Sequence, residues 1–290
     1  MVRRALMTVT VAFEKARAEG RAALVGYLPA GFPTVDGGIT AVRTLAESGV
    51  DLVEVGFPYS DPVMDGPVIQ RAGEIALARG VRGADVIRTV EAVADLGVPV
   101  VVMTYWNLVE RYTGGGPERG VGAFARDLTG AGGAGLITPD LIPDEADEWM
   151  AASDEYGLDR IFLVAPSSTD TRIARTVSVC RGFVYASSVM GVTGARDVTS
   201  SAAPALVGRI RAAAALPGTL PAEQPALPVG VGLGVRDGDQ AAEVGSYADG
   251  VIVGSALVGC LLDAPDLETG LAALRTLTAD LAAGVRRSVR

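Results

Sequence analysis

Eight short apolar runs recur along the chain, and each is followed by a segment with helical periodicity. The runs are ALVGYL (23–28), DLVEVGF (51–57), VPVVVM (98–103), GLITPD (135–140), RIFLVA (160–165), GFVYAS (182–187), ALPVGVGL (226–233) and DGVIVG (249–254). They are rich in Val and Ile and mostly lack polar alternation, as expected of parallel strands buried on both faces. Between them, Val35, Ile39, Val42 and Leu45 make one apolar stripe, closed by Gly49. Val86, Val90 and Val93 make another, opened by Asp85 and closed by Gly97, and Leu206 and Ile210 start a third. Acidic or hydroxyl starts and glycine ends are the usual punctuation of helices.

Eight β-α units over 290 residues fit a closed (β/α)8 TIM barrel with an extra N-terminal helix. A doubly wound open sheet is the alternative. The glycines at the ends of the later strands favour the barrel. No Pro-, Ser- or Gly-rich linker interrupts the pattern, so a single barrel domain over 1–290 is expected. The two looser segments, Tyr112–Gly122 and Leu216–Pro228, read as loops within it.

Composition narrows the chemistry. The chain has no histidine, which excludes Ser-His-Asp and Cys-His enzymes and leaves Asp, Glu, Lys, Tyr or Cys for proton transfer. A net charge of −9 argues against nucleic acid as a partner, because neutralising phosphates requires a basic face. The two cysteines, Cys180 and Cys260, lie far apart and read as core fillers in a reducing compartment. No zinc spacing is present. No uncharged run reaches the ~18 residues of a membrane span. At the N-terminus, Arg3, Arg4 and the following apolar stretch resemble a signal peptide. Leu6, Val9 and Phe13, with Glu14 and Lys15 directly after, read better as an amphipathic helix packed on the barrel. A cytoplasmic protein is expected.

In a barrel, chemistry sits at the C-terminal ends of the strands, and a phosphate site is often built from the loops after strands 7 and 8. Here strand 7 ends in VGLG, with Gly232 and Gly234. Strand 8 ends in VGSA, with Gly254 and Ser255 opening an uncharged helical turn. Strand 6 leads into GVTGAR, with Gly191 and Gly194. Glycines let the backbone approach an anion, and N–H groups at a helix start then point at it. Each pattern alone is weak, but three in succession point to a phosphate-bearing ligand.

Glu54 interrupts an apolar strand in VEVGFPYSDPVMDGP (53–67). With period 2, Leu52, Glu54 and Gly56 share one face, and Val53 and Val55 the other. Glu54 is either a buried carboxylate paired with a structural cation or a general acid/base near the barrel mouth. Desolvation would push its pKa toward neutrality in the second case. Asp61 and Asp65 sit on the following loop, where solvation and capping are the ordinary uses of aspartate. A pair formed by Glu54 and Asp65 could instead act on one substrate.

These stretches together resemble the tryptophan synthase alpha subunit family. GYLPAGFP (26–33), YWNLV (105–109), YASSVMGVTGAR (185–196), VGVGLG (229–234) and VGSALV (253–258) follow the family's order and spacing around the strand-2 signature. The resemblance runs from Gly26 to about Ala283. It implies a barrel that cleaves indole-3-glycerol phosphate to indole and glyceraldehyde 3-phosphate by a retro-aldol reaction. Glu54 matches the general acid/base that protonates indole C3. Asp65 matches the aspartate that holds the indole N–H. Tyr185 matches a tyrosine near the catalytic glutamate. Tyr105, Met103 and Leu233 would line the indole pocket, and Thr193 lies on a loop that closes over it. Gly194, Gly232, Gly234, Gly254 and Ser255 match phosphate contacts. No metal or cofactor is implied for this step. Indole passes to a separate pyridoxal-phosphate beta subunit, in an alpha2-beta2 heterotetramer.

Three positions depart from the pattern. Leu233 stands where an aromatic is common, Ile142 where proline is expected near Asp140, and TGGGPERG (113–120) is long. Two other functions fit a phosphate-binding barrel. One is another phosphate-binding lyase or isomerase, with Schiff-base chemistry excluded because the single lysine, Lys15, lies on the N-terminal helix. The other is a non-catalytic activator of a beta subunit.

Overall fold

The computed structural model describes residues 8–187, 202–221, 227–232 and 234–288. Eight parallel strands close into a barrel in sequence order. They are Ala23–Pro29 (β1), Leu52–Gly56 (β2), Val100–Met103 (β3), Gly135–Thr138 (β4), Asp159–Val164 (β5), Val184–Ser187 (β6), Val229–Gly232 (β7) and Gly250–Val253 (β8). Each apolar run of the sequence supplies one strand. β8 returns to β1, with Ala23 opposite Gly250 and Val25 opposite Ile252, so the sheet has no edge to protect.

The helices are Val9–Ala18 (α1), Val35–Glu47 (α2), Pro67–Ala78 (α3), Gly83–Val93 (α4), Trp106–Glu110 (α5), Gly120–Gly130 (α6), Asp147–Tyr156 (α7), Asp170–Val179 (α8), Ala202–Ala214 (α9), Gly238–Gly245 (α10), Ser255–Leu262 (α11) and Leu267–Arg287 (α12). Their boundaries follow local chemistry. The Thr34 hydroxyl accepts the Gly37 N–H at 3.0 Å to open α2, and Asp85 accepts the Arg82 N–H at 2.8 Å to open α4. After α2, Gly49 turns the chain at φ +113°, a left-handed conformation that glycine reaches without steric cost. Among the described residues no helix is long and apolar enough to cross a membrane.

The period-2 split on β2 is real. Val53 and Val55 pack in the layer between strands and helices. Leu52 faces the barrel interior with Val25, Val101, Ile137, Ile161 and Ile252. α1 covers the N-terminal end of that interior. Its Val9 and Phe13 belong to the same interior cluster, as the sequence stripe requires, and the Phe13 and Phe183 rings lie 5.3 Å apart. The Val9 N–H donates to Asp159 Oδ2 at 3.0 Å. Leu6, the third residue of that stripe, lies outside the described residues.

One segment departs from the expected plain loop. Within 112–122, Thr113 and Arg119 pair in an antiparallel bridge, and α6 already begins at Gly120. Gly120, at φ +76°, permits the sharp turn into the helix. The Tyr112 hydroxyl, which donates to Asp127 at 3.0 Å, ties the base of the excursion to α6.

Candidate active site

Glu54 is 1% exposed and lies opposite Tyr27 on β1 and Val101 on β3. One of its oxygens, Oε2, is buried without a hydrogen-bond partner. Among the described residues it is the only carboxylate oxygen in that condition. Burial, reinforced by the nearby Asp65 charge, pushes the Glu54 carboxyl from an ordinary 4.5 up to about 8. The structural alternative, a glutamate neutralised by a buried cation, finds no such cation beside Glu54 among the described residues.

Asp65 comes from the loop after β2. Burial raises its carboxyl from 3.8 to about 6, against the lowering effect of a hydrogen bond from Tyr105. The Tyr105 hydroxyl accepts the Met64 N–H at 3.0 Å and donates to the Asp65 carboxylate. The Gln70 side-chain amide donates to the Asp65 carbonyl at 2.8 Å, fixing the loop where it enters α3. Tyr105 is held in turn. Its ring lies 5.0 Å from that of Tyr59, and the next residue, Trp106, donates its N–H to Asp140 Oδ1 at 2.9 Å. Asp140, in the segment after β4, thereby fixes the start of α5 behind Tyr105. Asp61, by contrast, is exposed and accepts the Ser60 hydroxyl at 2.5 Å, an ordinary use of a loop aspartate.

Met103, half-buried at the end of β3, faces the interior beside these groups. Tyr185, on β6 across the barrel, packs into the same cluster. Burial, with Glu54 and then Asp65 as the nearby charges, drives the Tyr185 phenol well above its usual range. Tyr185, Tyr105, Met103, Glu54 and Asp65 thus share one end of the barrel. The two carboxyls straddle neutrality: near pH 7 Glu54 holds its proton and Asp65 is ionised. That division suits an acid paired with a stabiliser of positive charge.

Gly232, Gly234 and Gly254 stand at the ends of β7 and β8. α11 starts at Ser255 with Gly254 as its N-cap, and no side chain caps the helix. Its first N–H groups and the hydroxyl of the buried Ser255 suit an anion. Gly234 follows β7 at φ +70°, which favours glycine for conformational reasons alone. Gly232 has a second explanation, because a methyl group there would collide with the Tyr185 hydroxyl. Leu233, Thr193 and Gly194 lie outside the described residues, as does Gly191. No cluster of three or more metal-ligating side chains is found among the described residues.

One residue of this end was not singled out from the sequence. Tyr27, on β1, shares the inward face of Ala23 and Val25, and its ring lies against both Gly56 and Gly254. Its signal was the alternation along ALVGYL, which puts a bulky phenol level with Glu54.

The family model described as "Tryptophan synthase alpha chain" matches residues 13–286. A tryptophan synthase alpha chain of Salinispora arenicola is 66% identical over 278 residues, covering 96% of this chain and 97% of that one. One from Mycobacterium marinum is 61% identical over 275 residues, covering 95% and 93%. A structure of Mycobacterium tuberculosis tryptophan synthase superposes with TM-score 0.85 at 57% identity, covering 96% of this chain and 98% of that one. By sequence and by fold, this chain belongs to the tryptophan synthase alpha chain family.

Proposed function

We propose that Glu54 and Asp65 divide the work of the alpha reaction between them. The chain is a lyase of tryptophan biosynthesis that cleaves indole-3-glycerol phosphate to indole and glyceraldehyde 3-phosphate. Glu54, protonated at neutral pH, gives its proton to indole C3. The ring nitrogen becomes cationic as C3 takes the proton, and the Asp65 carboxylate stabilises that charge through the N–H. The bond between C3 and the first glycerol carbon then breaks, and its electron pair restores the aromatic ring. The hydroxyl on that carbon becomes the aldehyde by losing its proton, and the Glu54 carboxylate just formed is the base that takes it. Proton and electrons balance, and the acid is regenerated.

Tyr105 holds Asp65 in its ionised form. Met103 and Tyr185 line the indole pocket, with Leu233 and Thr193 as further contacts. The phosphate rests on Gly232, Gly234, Gly254 and Ser255, with Gly194 from the loop after β6. The family implies a beta-subunit partner, and we take the working assembly to be an alpha2-beta2 heterotetramer in the cytoplasm.

The observation that carries this reading is the buried, unpartnered Glu54 oxygen beside Asp65. The test is indole release from indole-3-glycerol phosphate by this chain with a tryptophan synthase beta subunit, beside Glu54→Gln. Wild type should release indole and the variant should lose most of that rate. If neither releases indole while the pair still makes tryptophan from added indole, the chain is only an activator.

A further inference from the structure

Tyr27 lies between the two halves of the site. It lies opposite Glu54 in the β1–β2 register. Its ring leans toward the C-terminal end, so that a methyl group on Gly56, two residues beyond Glu54 on the same face, would collide with its hydroxyl. The other edge of the ring flanks the α11 start: a Cβ on Gly254 would lie 3.4 Å from Tyr27 Cδ1. One phenol therefore reaches from the anion-binding helix start to the carboxylates. Among the described residues no hydrogen bond engages the Tyr27 hydroxyl.

The ligand of this site has its ring at the carboxylates and its phosphate at α11, so the glycerol carbons must lie between. Two of those carbons carry hydroxyls. We propose that the Tyr27 hydroxyl hydrogen-bonds a glycerol hydroxyl of the substrate, making Tyr27 the residue that recognises a hydroxylated chain between indole and phosphate. The inference rests on the functional reading above. It assigns Tyr27 no proton transfer. Burial and the adjacent Asp65 and Glu54 charges drive its phenol well above the usual value, so it stays a neutral donor and acceptor. An unpaired hydroxyl facing a polyol chain can reject a ligand that lacks the matching group.

The test is a chemical double-mutant cycle. Its two ligands are indole-3-glycerol phosphate and indole-3-propanol phosphate, whose chain carries no free hydroxyl. Binding is measured to the alpha–beta complex carrying Glu54→Gln, so that the substrate is not consumed, with and without Tyr27→Phe. Phenylalanine keeps the ring against Gly56 and Gly254. Loss of the hydroxyl should weaken the glycerol ligand roughly five- to tenfold and leave the propanol ligand within about twofold, with a rise in KM exceeding any fall in kcat in the Glu54 background. Equal weakening of both ligands would show that the hydroxyl serves packing, and no weakening of either would show that it serves nothing; each overturns the proposal. A second arm needs no Tyr27 variant: equal affinity of the Tyr27-bearing protein for the two ligands also overturns it. Failure of wild type to release indole would instead sink the functional reading, a separable result.

Discussion

The two ends of the barrel are built from the same strands yet treat buried charge in opposite ways. At the N-terminal end, the carboxylates of Asp159 and Asp51 meet donors. Asp159 takes the Val9 N–H. Asp51 takes both terminal nitrogens of Arg21, at 2.6 and 2.8 Å, and the Leu24 N–H at 2.9 Å. At the C-terminal end, Glu54 is left with a bare oxygen and Asp65 with one tyrosine. Satisfied charges hold a fold together. On the proposed reaction, the carboxyls left wanting at the mouth of the barrel are held in readiness for the substrate.

The contrast can be broken most forcefully at Glu54. Glu54→Gln should cut the rate of indole release about 10³-fold, the scale of a lost general acid, as read by single-turnover assay. The same change should stabilise the protein at alkaline pH. The folded carboxyl titrates near 8 against an ordinary 4.5. Its neutral form thus favours folding fully below pH 4.5, and that contribution is lost as pH rises through 8. The difference is roughly 3–5 kcal/mol at pH 9. Denaturant melts at pH 5 and pH 9 check it: a variant no more stable than wild type at pH 9 would show that Glu54 is not strained.

Asp65→Asn removes the anion and should lower the rate about 10²-fold; because burial also raises the Asp65 carboxyl, to about 6, the change should stabilise the fold at alkaline pH, by less than Glu54→Gln does. At the other end the expectations reverse. Phe13→Ala empties the floor of the barrel and should cost about 3–4 kcal/mol by urea melt, while the folded fraction keeps its kcat. A large fall in kcat would show that the two ends are coupled. Asp159→Ala strands the Val9 N–H and should cost about 1–2 kcal/mol, again without a kinetic signature. The smallest effect expected is at Tyr105→Phe. Losing the hydrogen bond that lowers Asp65 should shift the acid limb of the kcat/KM profile, near pH 6 in wild type, upward, narrowing a bell whose basic limb belongs to Glu54 near 8.

Most of the barrel was legible because buried parallel strands leave unbroken Val- and Ile-rich runs, and each of the eight runs became a strand. Glu54 was legible for the converse reason: a charge inside such a run conflicts with local preference, and conflicts of that kind gather at working sites. Tyr27 was harder to see, since a tyrosine in an apolar strand violates nothing. Only the register, which sets it beside Glu54 and between two glycines, gives it meaning. Gly232 shows the opposite limit. Sequence pattern and resemblance both assign it to phosphate, while the packing shows that Tyr185 requires a glycine there regardless. The short α5 and the bridge at Thr113 and Arg119 depend on tertiary contacts, through Asp140 and Asp127, that carry no local signature.

Two inward tyrosines lean the same way. Tyr27 crosses to Gly56 on the next strand, and Tyr185 crosses to Gly232 on its next strand. Each glycine is thus the negative of a phenol. An alanine at either position has no room unless the ring beside it shrinks, and a ring lost alone leaves a void that nothing at the glycine can fill. Across descendants of this sequence the members of each pair are therefore expected to change together or not at all. The shape of the active-site wall should evolve in two-residue steps, even while the single positions around it drift one at a time.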